Sequence, residues 1–233
     1  MTTGGREVRT GIMGGTFDPI HLGHLDAAAA AQALLGLDEV WLVPARVPPH
    51  RMAAPRASVY HRLAMVALAA EGRPGLVASD LELEAPGPSY TSATLARLGG
   101  SGLRPWQIFF ITGADAFLEI ATWRDYPHIL DRAHFVVVSR PGHVAAAIAG
   151  RLPALAPRII PPGTDIDADL GRRQSTAVIL IDARTTDVSS TDIRRRAAGG
   201  ESLSGLVPAT VEAYIRRHEL YGPSSTAGDL HDD

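Results

Sequence analysis

The sequence predicts an α/β fold: an open parallel sheet with helices on both faces, followed by a small C-terminal helical unit. Short apolar runs of β type alternate along the chain with segments of helical pattern, which is typical of βαβ units and of a parallel sheet. The runs IFFI and FVVV are apolar without interruption, as expected for strands buried on both faces. After the last such run, two helical segments follow each other and form the predicted C-terminal unit.

Six strands are predicted from the apolar runs, in the order Thr10–Met13, Val40–Val43, Leu76–Leu83, Gln107–Thr112, Phe135–Ser139 and Val178–Ile181. Five helices are predicted between them, at Leu22–Leu35, Ser58–Ala70, Tyr90–Leu98, Ala114–Ile120 and Val144–Leu155. The stretch Arg151–Gln174 is rich in Pro, Gly, Arg and Asp. We expect a long loop or a flexible insertion there.

The C-terminal unit is predicted from SSTDIRRRAAGG and VPATVEAYIRRHELYG, which both have a helical pattern. Pro208 stands at the start of the second helix and Gly222 past its end, as is common for helices. We therefore predict a core over residues 1–186, a C-terminal helical subdomain over 187–222 that caps the sheet, and a disordered polar tail over 223–233.

The composition excludes several classes of protein. Of the 233 residues 45% are hydrophobic and 20% charged, and the net charge is −3, which argues against general binding to nucleic acid or to a membrane surface. There is no cysteine, so disulfides, thiolate zinc sites and a cysteine nucleophile are excluded. The N-terminal MTTGGREVRT is polar and predicts no signal peptide. We expect a cytoplasmic protein, and a homo-oligomer stays possible.

The stretch GIMGGTFDPIHLGH joins a strand, the turn at Gly14 and Gly15, and a helix that starts near His21. Free backbone N–H groups at such a helix start bind anions, and glycines let a phosphate approach the backbone. His21 and His24 are three residues apart and share one face of the first turn. The pattern favours a phosphate site. A plain turn and a zinc site with a third ligand remain alternatives, whereas a Walker A loop is absent.

GGTFDPIHLGH resembles the signature of the nucleotidyltransferase superfamily, which has a Rossmann-like α/β fold and an HxGH motif. VSSTDIRRR (Val188–Arg196) resembles its second signature, a Ser-Thr element near the C-terminus. Further stretches are similar to one branch, nicotinate mononucleotide adenylyltransferase: VPARVPPHR, SYTSATL, FITGADAF, TWRDY, SRPG and VPATVEAYIRRHELY. The matches run in order from Gly11 to Tyr221, so the resemblance covers nearly the whole chain.

The resemblance implies a set of site residues. His21, His24 and Arg194 would be catalytic. ATP would be bound by Gly14, Gly15, Thr16, Phe17, His21, His24, Gly113, Asp115, Ser189, Ser190, Thr191 and Arg194. Nicotinate mononucleotide would be bound by Thr16, Phe17, His50, Arg51, Thr91, Trp123, Arg124 and Arg140. Arg124 stands where many relatives have an aromatic residue, and it could favour anionic nicotinate over neutral nicotinamide.

Simpler structural explanations stay open for most of these positions. One of Ser189, Ser190 and Thr191 is a natural N-cap, and the same holds for Asp115 and Thr91. Trp123 could be an aromatic anchor for its loop, and the stiff stretch PPHR, with His50 and Arg51, could be a surface loop.

Arg194, Arg195 and Arg196 are harder to explain as part of a plain capped helix. A cation near a helix N-terminus is unfavourable unless an anion is present, and phosphate would supply that anion. Arg195 and Arg196 are expected to be solvated.

The implied reaction joins ATP and nicotinate mononucleotide to give nicotinate adenine dinucleotide and pyrophosphate. The attacking phosphate is largely ionised at neutral pH, since its second pKa is about 6, so no general base is needed. Mg²⁺ would be held mainly by the ATP phosphates, because the sequence has no cluster of carboxylates. Alternatives are another HxGH adenylyltransferase or cytidylyltransferase, such as pantetheine-phosphate adenylyltransferase, and a non-catalytic nucleotide-binding sensor.

Overall fold

The computed structural model describes residues 7–49, 54–139 and 145–222, except for the side chain of residue 146. The strands are β1 (Thr10–Gly15), β2 (Glu39–Pro44), β3 (Leu76–Ala78), β4 (Ile108–Gly113), β5 (His134–Val138), β6 (Ile159–Ile160) and β7 (Val178–Ile181). The α-helices are α1 (Leu22–Leu35), α2 (Val59–Ala70), α3 (Thr91–Gly100), α4 (Ala114–Phe117), α5 (Ile148–Arg151), α6 (Ile166–Arg172), α7 (Ser190–Ala198) and α8 (Ala209–Arg217).

The strands form one parallel sheet in the order β3-β2-β1-β4-β5-β7-β6. The chain builds outward from β1 to β2 and β3 on one side, and then from β4 onward on the other. The order therefore reverses between β1 and β4. In open α/β sheets, the crevice at the carboxyl ends of the strands beside such a reversal is where ligands bind.

The sheet is covered on both faces, as predicted. Alternate side chains of the strands point to opposite faces: Phe109 and Ile111 of β4 join a core cluster with residues of α1, α2, α7 and α8. Ile108 and Phe110 join the opposite cluster with residues of α3, α4 and α5. Among the residues that the structure describes, no helix is long and apolar enough to cross a membrane.

Two predicted elements are wrong in extent because local turn chemistry overrides the apolar pattern. The strand predicted at Leu76–Leu83 ends at Ala78. The Ser79 hydroxyl accepts the Leu81 N–H, and the Asp80 carbonyl accepts the Leu83 N–H, so the chain turns there. The helix predicted at Ala114–Ile120 is only the one-turn α4, followed by a 3₁₀ turn at Ile120–Thr122.

The segment from residue 145 to 174 is more ordered than the sequence predicts. The helix predicted at Val144–Leu155 consists of a 3₁₀ turn (Ala145–Ala147), α5 and a second 3₁₀ segment (Pro153–Arg158). Val144 lies outside the described residues. Proline lacks the N–H that a continuous helix needs, so the helix breaks before Pro153. The loop expected over Arg151–Gln174 is wrong, because it contains β6, which pairs with β7, and α6.

The C-terminal helices lie where the sequence predicts them. Pro208 is the N-cap of α8, as predicted, but α8 ends at Arg217 with His218 as its C-cap, so the helix end predicted next to Gly222 is wrong. Both helices contribute buried apolar residues to the core cluster that also contains residues of α1 and α2. Ile193 of α7 and Val211 of α8 are among them. The tail predicted over 223–233 lies outside the described residues.

Candidate active site

The turn between β1 and α1 is held in an unusual backbone conformation. Phe17, which is 2% exposed, has φ 48°, a left-handed value that costs energy for a residue with a side chain. A Cβ on Gly15 would lie 2.9 Å from the Phe17 ring. Gly15 must therefore be a glycine for Phe17 to fold back over the end of β1.

The two histidines form one stacked pair at the start of α1. His21 is the N-cap, and its ring centroid lies 3.6 Å from that of His24, with 23° between the planes. The backbone N–H of His21 donates to Nδ1 of His24 at 3.3 Å, and the Phe17 ring meets His24 edge-on at 5.0 Å. Because Nδ1 of His24 accepts, the proton of its neutral ring lies on Nε2.

The start of α7 is bound to this turn by two contacts. Nη1 of Arg194 donates to the carbonyl oxygen of Asp18 at 2.7 Å, and the Ser190 hydroxyl donates to the carbonyl oxygen of Pro19 at 3.0 Å. Nη2 of Arg194 also contacts the Thr191 hydroxyl at 3.1 Å. Residues at the two ends of the chain therefore share one surface, where the N-termini of α1 and α7 and the Arg194 guanidinium meet.

The helix cap and the neighbouring arginines make contacts of their own. Ser189 is the N-cap of α7, and its hydroxyl accepts the N–H of Asp192. Asp192 binds Arg195 at 2.6 Å and Arg196 at 2.9 Å, and both guanidinium groups also pair with Glu201. The hydrogen bonds from these arginines lower the pKa of Asp192. Arg195 and Arg196 thus lie in surface ion pairs, unlike Arg194.

Three buried residues that the sequence analysis missed support the turn. The Asp18 carboxylate is 1% exposed and accepts the N–H groups of Arg56 and Ala57 and the hydroxyl of Tyr221. Burial, and then the Asp18 charge, raise the pKa of Tyr221, so its hydroxyl stays protonated as a donor. The third residue, Arg62 of α2, is also 1% exposed, and its Nη1 donates to the Thr16 carbonyl at 2.6 Å.

A signal for two of these residues was present in the sequence. Asp18 lies inside the motif GGTFDPIHLGH and Tyr221 inside VPATVEAYIRRHELY. Arg62 takes a position in the buried stripe of α2 that continues with Met65, Val66 and Ala69. An arginine in an apolar stripe indicates a buried partner.

A cavity of about 300 Å³ opens beside the turn, at the carboxyl ends of β1 and β4. We call it the switch-point cavity. The predicted site residues that line it are Gly14, Gly15, Thr16, Thr91, Trp123 and Arg124. Its wall also contains the buried carboxyl of Glu82, which accepts the Thr94 hydroxyl at 2.5 Å. Burial raises the pKa of Glu82.

The aromatic and cationic wall of the cavity has defined contacts. Trp123 meets Phe110 edge-on at 6.0 Å and Phe135 at 6.4 Å, so it anchors its loop and lines the cavity at the same time. The Arg124 guanidinium lies 4.9 Å from the Tyr90 ring centroid, a cation–π distance. Tyr90, not Thr91, is the N-cap of α3, and Thr91 is its first residue.

The remaining predicted residues fall into two groups. Gly113 ends β4 and is the N-cap of α4, with Asp115 in the first turn. The alternative interpretation of Asp115 as the N-cap is therefore wrong, and neither residue lines the switch-point cavity. His50, Arg51 and Arg140 lie outside the described residues. The zinc alternative lacks a third ligand in the described chain, where no group of three His, Cys, Asp or Glu could hold a metal.

Comparisons with known proteins agree with this geometry. A family model described as "Cytidylyltransferase-like" matches residues 12–196. A relative from Desulfatibacillum aliphaticivorans, named "Probable nicotinate-nucleotide adenylyltransferase", is 42% identical over 222 residues, which cover 92% of this chain and 100% of the relative. One of the same name from Symbiobacterium thermophilum is 42% identical over 221 residues, covering 95% of this chain and 99% of the relative.

The fold also matches a solved structure, "Plasmodium falciparum nicotinic acid mononucleotide adenylyltransferase complexed with NaAD". The TM-score is 0.65 at 16% sequence identity, and the match covers 92% of this chain and 98% of that one. At this identity the likeness shows the fold. It confirms the prediction of a Rossmann-like open parallel sheet.

Proposed function

Since the chain belongs to the cytidylyltransferase-like family, and within it to the nicotinate-nucleotide adenylyltransferases, we propose that it transfers the adenylyl group of ATP to nicotinate mononucleotide. The products are nicotinate adenine dinucleotide and pyrophosphate, in a step of NAD biosynthesis. One observation supports this most: Arg194 reaches the β1–α1 turn at Asp18 and brings the N-terminus of α7 to that of α1. Two helix N-termini and a guanidinium together favour a bound polyphosphate.

The reaction is a displacement at the α-phosphorus of ATP. An oxygen of the nicotinate mononucleotide phosphate attacks this phosphorus, and the bond to the oxygen of the leaving pyrophosphate breaks. The attacking group is already ionised, so the residues of the chain position the two anions in line and stabilise the charge that develops. Alignment of this kind lowers a barrier by about 7–11 kcal/mol in favourable cases.

The stacked histidines are suited to act on the α-phosphate. His24, whose Nδ1 accepts the His21 N–H, would donate its Nε2–H to a phosphate oxygen as negative charge grows on it. Arg194 and Thr16 would hold the β- and γ-phosphates. The Thr191 hydroxyl and the backbone N–H of Ser190 would donate to the same phosphates, with Ser189 as the cap of the helix.

The switch-point cavity is the proposed site of the nicotinate nucleotide. Its volume of about 300 Å³ is at the small end of the usual range for ligand sites. Trp123 would stack on the pyridine ring, and Thr91 and Arg124 would contact its carboxylate side. Gly113 and Asp115, at the end of β4, would contact the adenosine. His50, Arg51 and Arg140 are proposed to approach the phosphate of the acceptor nucleotide.

Mg²⁺ is proposed to enter with ATP and to neutralise charge on its phosphates. The Asp18 carboxylate belongs to the same turn as the residues proposed to bind phosphate. It is already bound by two backbone N–H groups and the Tyr221 hydroxyl. The phosphate oxygens are thus left as the main ligands. We also propose that the chain divides into a core (1–186) and a phosphate-binding subdomain (187–222), that it is cytoplasmic, and that it forms a homo-oligomer.

The activity is tested by incubating the purified chain with ATP and Mg²⁺ and one acceptor at a time: nicotinate mononucleotide, nicotinamide mononucleotide or phosphopantetheine. We expect pyrophosphate and the dinucleotide to appear in equal amounts, fastest with nicotinate mononucleotide. Faster turnover of phosphopantetheine would favour the rival transferase. Binding of ATP without any pyrophosphate would favour the sensor.

The role of His24 is tested by His24→Ala. We expect kcat to fall by about 10²–10³-fold, as when one donor to a developing charge is removed, while KM for ATP changes little. His218→Ala is the matched control, because this histidine lies at the end of α8 and contacts Tyr214. Near-normal kcat in the His24 variant would contradict the assigned role.

A further inference from the structure

A second cavity, of about 670 Å³, lies at the amino-terminal ends of the strands, whereas the switch-point cavity lies at their carboxyl ends. It is lined by Val8 and Arg9 just before β1, by Phe109 near the start of β4, and by His134 as the first residue of β5. We call it the distal cavity. The strands that separate the two cavities are up to six residues long, or roughly 15–20 Å, so both could be occupied at once.

The wall of the distal cavity is aromatic on two sides. Phe109 stacks on the ring of His134, with centroids 4.8 Å apart and 27° between the planes. Trp106 is 50% exposed, although an indole of this size is normally well buried. Its Nε1–H donates to Glu7 at 2.8 Å, and the Arg104 guanidinium lies 5.3 Å from its ring. These contacts fix the orientation of the indole beside the opening.

His134 provides a directed hydrogen-bond donor inside this cavity. The side chain is 4% exposed, and its Nδ1 accepts the N–H of Ala177 at 3.0 Å. Burial, and then the charges of Arg9 and Arg173, lower the pKa of His134 to about 4. The ring is therefore neutral at pH 7 with its proton on Nε2. Within the described residues, this N–H has no hydrogen-bond acceptor.

The charged groups around the distal cavity are already matched. Asp167 binds Arg9 at 2.7 Å, Asp131 binds Arg158 at 2.5 Å, and Glu7 pairs with Arg104 at 3.3 Å. Arg173 pairs with Asp169 at 2.6 Å. An ionic ligand would compete with the partners that these charged groups already have. An uncharged ring with a hydrogen-bond acceptor, in contrast, matches both the walls and the donor.

We propose that the distal cavity binds an uncharged nitrogen heteroaromatic compound, of the nucleobase or nicotinamide class. A ring nitrogen or carbonyl oxygen of the ligand accepts the Nε2–H of His134, and the ring lies against the half-exposed indole of Trp106. The site is independent of the proposed reaction, because none of its residues belongs to the switch-point cavity or to the β1–α1 turn.

The test uses Trp106 as a local reporter. A full-length Trp41→Phe, Trp123→Phe protein keeps Trp106 as its one indole, since the chain has three tryptophans. Adenosine, nicotinamide and AMP are titrated separately while indole fluorescence is recorded. We expect saturable changes with adenosine or nicotinamide at dissociation constants below about 1 mM. AMP should bind at least ten-fold more weakly than adenosine. No saturable change with either uncharged probe, or AMP binding as tightly as adenosine, would overturn the proposal.

A cavity-filling variant provides the second test. Gly171 lines the distal cavity within α6, and a Cβ there would meet nothing within 4 Å, so Gly171→Leu in the reporter protein should fold and occupy the site. Its control is Gly99→Leu in α3, a helical glycine with equally open surroundings that lines neither cavity. We expect Gly171→Leu to weaken probe binding at least ten-fold and Gly99→Leu less than two-fold. Equal binding by both variants would contradict the assignment of the site.

Discussion

The hydroxyl of Tyr221 should stabilise the fold by a measurable amount through one hydrogen bond. It donates at 3.0 Å to Oδ1 of Asp18, and both residues are 1% exposed. Tyr221→Phe removes the hydroxyl and keeps the ring, so it creates almost no cavity. The variant therefore isolates the contact that joins the end of the chain to the β1–α1 turn.

The size of the effect follows from the charge and burial of the acceptor. A hydrogen bond to a charged group contributes about 1.5–3 kcal/mol to stability. The Asp18 carboxylate keeps the N–H groups of Arg56 and Ala57 in the variant, so it is not left without donors. We expect the free energy of unfolding to fall by about 1.5–2 kcal/mol, at the lower end of that range.

The assay is urea unfolding of both proteins at pH 7.5, followed by circular dichroism. The control is Tyr214→Phe, which removes a hydroxyl 2.9 Å from Nδ1 of His61 in a less buried place; about 0.5–1.5 kcal/mol is expected there, as for an ordinary hydrogen bond. A loss below about 0.5 kcal/mol for Tyr221→Phe, or one smaller than the control's, would refute the reasoning, since an ordinary bond already contributes that much.

The same pair of proteins has a defined dependence on alkaline pH. Burial and the Asp18 charge raise the pKa of Tyr221 in the folded protein, whereas an unfolded tyrosine ionises near pH 10. The stabilisation is thus fully present below about pH 10. It is lost above that pH by about 1.4 kcal/mol per pH unit, because the unfolded state then releases a proton that the folded state keeps. The advantage of the wild type over Tyr221→Phe should therefore shrink by about 1 kcal/mol between pH 10 and 11, because the unfolded tyrosine is only half ionised at pH 10.

Three further predictions concern the turn, the distal cavity and the acceptor site. Gly15→Ala places a Cβ 2.9 Å from the Phe17 ring and should displace Phe17 from His24; we expect kcat/KM to fall at least ten-fold, and unchanged kinetics would show that this packing is unimportant. His134 has a pKa of about 4 in the fold and about 6.5 when unfolded, so its stability contribution is lost as pH falls between these values, by up to about 3 kcal/mol. His134→Gln should therefore lose less free energy of unfolding between pH 7 and 4.5 than the wild type does; an identical loss in urea titrations would contradict the lowered pKa. For Arg124→Ala, we expect the ratio of kcat/KM for nicotinate to that for nicotinamide mononucleotide to fall; an unchanged ratio removes Arg124 from substrate choice.

The sequence predicted elements well where the local signal and the fold agree. Helix α1 was predicted with its observed bounds, and it ends where Gly36 takes a left-handed conformation with φ 55°. Strand β7 was also predicted with its bounds, because four consecutive apolar residues are buried there. Strand β6 was missed. It has two residues among prolines and exists through its pairing with β7, which a local pattern does not contain.

The sequence predicted only part of the candidate site, because short motifs report local features and not contacts between distant residues. His21, His24 and Arg194 belong to short motifs and could be named from resemblance. The partners of Asp18 lie 39 residues away at Ala57 and 203 residues away at Tyr221, and no periodicity reports contacts at such separations. Arg62 differs, because its place in an apolar helix stripe gave a physical signal that could have been used.

The central claim is that Arg194, the α7 N-terminus and the β1–α1 turn form one cradle for the phosphate chain of ATP. It is tested most directly by isothermal titration of a non-hydrolysable ATP analogue and of AMP into wild type and Arg194→Met. We expect the affinity for the ATP analogue to fall by about 10–150-fold, the equivalent of one charge-assisted contact of 1.5–3 kcal/mol, while the affinity for AMP changes less than two-fold. Equal losses for both ligands would contradict the claim, because they would show that Arg194 does not act on the β- and γ-phosphates.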